Sequence, residues 1–136
     1  MATFTTFEDI EAWQRGRQLV KEIYSLTLRP NFSKDFALRD QIRRSAISII
    51  SNIAEGFGRG GKLEFMQFLS IAKGSLAELR AQLYIALDLK YIEKEDFTRL
   101  NGLADETGKL LAGLMNYLRT TTIKGTKYKC KPSTEN

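Results

Sequence analysis

Apolar residues recur along residues 65–86 in steps of four and three: Phe65, Leu69, Ala72, Leu76, Leu79, Leu83 and Ala86. A strand repeats every two residues, so this spacing excludes a strand and predicts a helix with a heptad seam. Such a seam needs partner helices lying nearly parallel or antiparallel to it at a shallow angle. The predicted helix runs from about Lys62 to about Leu89, about 40 Å at 1.5 Å per residue. A second seam follows over residues 94–120, through Phe97, Leu100, Ala104, Thr107, Leu111, Leu114 and Leu118. Leu103, Leu110 and Tyr117 add an apolar edge to that helix, seven residues apart. Two apolar edges are more than one seam hides, which predicts an oligomer interface at those three residues.

Two helices are expected ahead of this pair. The first spans about Phe7 to Leu28, with Thr6 as N-cap and Asp9 three residues on, as in a capping box. Ile10, Trp13, Val20, Ile23 and Tyr24 share its inner side, with Trp13 read as a core anchor. Gly16 interrupts that side. A mid-helix glycine costs about 1 kcal/mol against alanine, so Gly16 marks close helix contact. Arg29-Pro30-Asn31 ends this helix, because proline disfavours helical geometry in the residue before it. The second spans about Lys34 to Glu55, with Ser33 as cap and an Asp35–Arg39 pair four residues apart. Leu38, Ile42, Ala46, Ile49 and Ile53 form its inward stripe.

Beside that stripe runs a face of short polar residues, Ser45, Ser48, Asn52 and Glu55. The third helix carries a similar face at Gln67, Ser70, Gly74, Glu78 and Gln82. The two are expected to meet in a polar inter-helix layer of Asn52, Glu55 and Glu78, or to form a subunit interface. Glu55 and Glu78 also invite a reading as a paired acid and base; with arginines nearby, salt bridging is favoured. Gly56 and Gly58 are expected to stop the second helix, and Phe57 to plug one end of the bundle. The fold class is therefore all-α, an up-down-up-down antiparallel four-helix bundle over residues 1–123, followed by a basic disordered tail over 124–136.

Several function classes drop out. The chain has no histidine, which removes the commonest general base and the commonest neutral metal ligand. The turn GFGRGGK, residues 56–62, resembles a phosphate loop, yet Leu63 stands where a Ser or Thr should follow the lysine, and a helix precedes it. No enzymatic activity, cofactor or metal is expected. The single Cys130 cannot form an intramolecular disulfide, no signal peptide is visible, and no apolar run is long enough for a membrane span. These point to the cytoplasm. The net charge is +5, and much of it lies in the tail lysines Lys124, Lys127, Lys129 and Lys131. Such a tail suits phosphate through counterion release, or serves as a solvated tail that keeps the protein soluble.

The stretches QIRRSAISIISNIAEGFGR and EFMQFLSIAKGSLAELRAQL resemble the four-helix bundle family encoded in intervening sequences of bacterial 23S rRNA genes. FEDIEAWQRGRQLVKEIY and DLKYIEKEDFTRL resemble it as well, so the likeness spans about residues 7–120. That family usually has proline where this chain has Ile50, which here allows an unbroken second helix. The resemblance implies a small cytoplasmic bacterial protein, commonly a homopentamer. It is also similar to the accessory protein of diversity-generating retroelements, a basic barrel that associates with nucleic acid and a reverse transcriptase. Carried onto this sequence, the likeness singles out Arg39, Arg43, Arg44, Arg59 and Lys62. Their alternative role is surface salt bridging and helix capping. The sequence reading is a non-enzymatic homo-oligomer that binds RNA or DNA, RNA first, through phosphate contacts. The alternative is a scaffold for protein partners with no nucleic-acid role.

Overall fold

A computed structural model describes residues 4–121. Its elements are a 3-10 turn at Phe7–Asp9 and five helices: α1 (Glu11–Thr27), α2 (Pro30–Lys34), α3 (Phe36–Arg59), α4 (Lys62–Asp88) and α5 (Lys94–Thr120). The four long helices form a ring in the order α1, α3, α4, α5. Neighbours run antiparallel. Arg15 pairs with Glu106 at 2.8 Å and Arg99 with Glu22 at 3.0 Å, so seven residues forward on α1 is seven back on α5. Across α4 and α5, Arg80 Nε donates to Asn101 at 3.2 Å and Tyr84 packs on Phe97 at 4.7 Å, again in opposite directions. The up-down-up-down bundle read from the heptads is present.

The seams supply the core. All seven seam residues of α4 and all five inward residues of α3 are buried, as is the α5 seam apart from half-buried Phe97. Thr107 is polar in that seam, and its Oγ1 donates to the Leu103 carbonyl at 2.8 Å, which meets the need of a buried hydroxyl. Trp13 packs against the core from a half-buried position, in edge contact with Phe7 at 5.0 Å.

Several expectations at the helix ends need correction. Asp9 Oδ2 does accept the Thr5 and Thr6 backbone N–H groups, at 2.9 and 3.2 Å, but this closes the 3-10 turn. Helix α1 starts only at Glu11, because buried Ile10 takes an extended backbone. Helix α1 does end ahead of Pro30, with Arg29 in extended backbone as expected, and Pro30 then opens the short α2 at its first position, where its fixed φ suits a helix and no N–H is missed. The cap of α3 is then Asp35 instead of Ser33, accepting Leu38 N–H at 3.1 Å. Its other carboxylate oxygen accepts the Tyr91 hydroxyl at 2.8 Å, so Arg39 turns to Asp40 at 2.9 Å and the expected Asp35–Arg39 pair does not form.

At its far end α3 runs through Gly56 and Gly58 and stops at Gly60, whose φ of 87° is the left-handed geometry that glycine adopts cheaply. Gly56 serves contact: a Cβ there would stand 2.5 Å from Phe68 Cβ on α4. Gly16 does the same on α1, with Ile50 Cγ2 in the notch at 2.6 Å from where a Cβ would be. Helix α3 is unbroken at Ile50. Phe57 is buried edge-on to Phe65, at 5.8 Å, and closes that end as expected.

Candidate nucleic-acid and assembly surfaces

Phosphate binding needs cations that are not already spent on the fold. Arg39 lies over the Phe36 ring at 4.8 Å, pairs with Asp40 and donates to the Ser33 carbonyl at 3.1 Å. Arg43 stacks on Tyr24 at 4.4 Å and donates through Nε to Thr27 Oγ1 at 2.8 Å. Arg59 pairs with Glu55 at 3.0 Å, approaches Glu64 at 4.0 Å and lies over Phe68. Lys62 Nζ donates to the Thr121 carbonyl at 2.7 Å and holds the end of α5 against the start of α4. Arg44 differs: it is exposed on the outer side of α3 and pairs with none of the described residues. The candidate cations therefore do not gather into one patch. Lys124, Lys127, Lys129 and Lys131 lie outside the described residues.

The polar faces of α3 and α4 do meet, through shorter side chains than expected. Ser48 and Ser75 share a hydrogen bond of 2.8 Å, and Asn52 Nδ2 donates to the Ser48 carbonyl and hydroxyl at 2.8 and 3.0 Å. Glu55 and Glu78 lie outside this layer. Glu55 is on the surface, paired with Arg59, and Glu78 is exposed on the outer side of α4. Both glutamates occupy exposed positions of their helices, whereas Ser75 is buried and Ser48 and Asn52 are half-buried between α3 and α4. Glu55 and Glu78 thus have neither the burial nor the mutual placement of an acid–base pair.

Leu103, Leu110 and Tyr117 are half-buried against the core. Much of the apolar edge of α5 is satisfied within the chain. The larger exposed apolar area is on α4 and its C-cap, where Ile71, Ile85 and the capping Leu89 are 52%, 46% and 52% exposed. With Gly74 and Glu78 they recur at helical spacing on the face opposite the core seam. A helix apolar on opposite faces is ordinarily covered on both.

One well-built charged cluster was not foreseen. Arg29, at the turn before α2, grips Asp96 in the first turn of α5 through two hydrogen bonds of 2.6 and 3.1 Å. Asp96 also accepts the Glu93 backbone N–H at 2.9 Å and faces Arg99 at 3.5 Å. The Arg29 hydrogen bonds, helped by that backbone contact and by Arg99, hold its carboxyl down at about 2 against the opposing effect of burial. The Glu-x-x-Asp spacing at 93–96 was the available signal; nothing local shows that Arg29 is its partner. The cluster ties two helix junctions together and presents no nucleophile.

Known proteins place the chain. The sequence model of the 23S rRNA-intervening sequence proteins matches residues 8–113. The chain belongs to that family. Among solved structures, it is similar to a protein of unknown function from the S23 ribosomal protein family of Bacteroides thetaiotaomicron VPI-5482. The two share 24% identity at a TM-score of 0.70, over 77% of this chain and 95% of that one. At that identity the likeness establishes the shared bundle fold. No curated protein matches the chain. No helix among the described residues is long and apolar enough to cross a membrane.

Proposed function

We propose that this family member is a non-enzymatic, cytoplasmic building block that assembles with copies of itself and binds nucleic acid, RNA first, through phosphate contacts. The outer face of α4 carries the assembly part. Ile71, Ile85 and Leu89 lie exposed there with Gly74 between them, and covering such a strip by a second copy removes apolar surface from water. The resemblance supports a ring of five. The nucleic-acid part falls to the tail lysines and Arg44, since Arg39, Arg43, Arg59 and Lys62 are engaged within the fold. Catalysis has no place in this reading: the chain has no histidine, and Glu55 and Glu78 stand apart on the surface.

Light scattering on Ile85→Lys tests the assembly. The variant is expected to drop to a lower mass while keeping its helical circular dichroism. An unchanged mass would move the interface off α4. Fluorescence anisotropy with labelled RNA and duplex DNA tests the second part. Affinity that falls steeply with salt supports phosphate contacts; no binding at low salt leaves a scaffold for protein partners.

A further inference from the structure

Extending the α1–α5 register, in which Arg15 faces Glu106, would put residues 4–8 of a longer α1 opposite residues 113–117. The chain leaves the helix at Ile10, so α1 does not extend alongside the last turns of α5. An open groove of about 390 Å³ remains, lined by Phe4, Ile10, Leu110, Gly113, Leu114 and Tyr117. Asp9, Glu11 and Lys109 also line it. Glu11 is exposed and has no ion pair among the described residues. Among the described residues a Cβ on Gly113 would meet nothing within 4 Å, so that stretch of the groove is open to a guest.

We propose that the groove is the docking site of the chain's own basic tail, with Tyr128 seated on Leu110, Gly113 and Tyr117 and its neighbouring lysines set toward Asp9 and Glu11. Three observations lead there. The tail starts at the right place: Tyr117 is four residues before Thr121, about 6 Å along a helix. It has the length: the seven residues from Thr121 to Tyr128 span up to about 23 Å when extended, enough to double back past Tyr117 to Leu110. It has the chemistry: Tyr128 is an aromatic flanked by Lys127 and Lys129, facing an apolar groove with two carboxylates in its lining. A docked tail withholds lysines from phosphate. That consequence rests on the function proposed above; the docking itself does not.

Trypsin cleavage of the full chain, without nucleic acid, tests the docking. Cuts after Lys124, Lys127 and Lys129 are followed by mass spectrometry. Gly113→Phe fills the groove, and Tyr128→Ser removes the guest without touching the bundle. Both are expected to speed these cuts by about tenfold, because cleavage follows the open population. A fluorophore on Cys130, the only cysteine, should tumble with the body in the parent chain and freely in either variant. Equal cleavage and equal label mobility in all three proteins overturn the proposal. Protection that grows with protein concentration assigns the groove to a second copy and overturns it as well.

Discussion

At the scale of single residues, the contrast between glycines shows how packing decides an outcome that composition does not. Gly56 stands where α3 meets α4, and a methyl there would clash with Phe68 Cβ, which is part of a helix and cannot swing away. Gly56→Ala is expected to lower unfolding free energy by about 1–3 kcal/mol, the usual cost of overpacking. Gly102 sits inside α5 with open space beyond it. Gly102→Ala is expected to raise stability by about 0.5–1 kcal/mol through helix propensity alone. Urea unfolding of the two variants beside the parent measures both signs. The sequence showed Gly16 as a contact point because it interrupts an apolar side. It did not show Gly56 as one, since a glycine near a predicted helix end reads as a stop. The fates of Arg39 and Arg43 were equally hidden. Thr27, the acceptor for Arg43, lies sixteen residues upstream, and only the antiparallel return of the chain brings it near.

At the scale of elements, the heptad seams were legible because a repeat of three and four residues has one geometric solution. Helix α5 runs from Lys94 to Thr120 as the sequence reading placed it. The α1–α3 junction was not legible. Proline both ends helices and begins them, and its neighbours decide which; here Phe32 is buried and stacked on Tyr91 at 5.2 Å, which holds α2 in place. Arg29 and Asp96 clamp this junction to α5. Asp96 titrates near 2 in the folded chain against about 3.9 unfolded. A depressed carboxyl contributes stability that is fully present above the unfolded value and lost as pH falls through the folded one. Asp96→Asn is therefore expected to cost roughly 1–2 kcal/mol at neutral pH, the lower part of that range reflecting a half-exposed Arg29. The difference from the parent should shrink between about pH 4 and pH 2. Thermal unfolding across that window checks it, and a gap constant with pH would remove the charge from the explanation.

At the scale of the whole molecule, charge is spread unevenly along the chain. Residues 124–136 carry four lysines against Glu135, so the +5 of the whole chain becomes +2 without them. Within the described residues most cations of the candidate site are held by carboxylates, carbonyls or aromatic rings. The sequence could count these charges but not discount them, because partners arrive only with the fold. This predicts how nucleic-acid affinity responds to salt. Each phosphate contact to a single strand contributes about 0.7 to the slope of log affinity against log salt. Four tail lysines engaged together give the full chain a slope contribution of about 3, and Arg44 alone about 0.7. A chain ending at Ile123 is thus expected to lose most of its salt dependence along with most of its affinity. A slope unchanged by truncation would mean that the bundle arginines release their internal partners on binding. In that case Arg43→Ala and Arg59→Ala, which leave the core seams intact, should lower the slope by about 0.7 each.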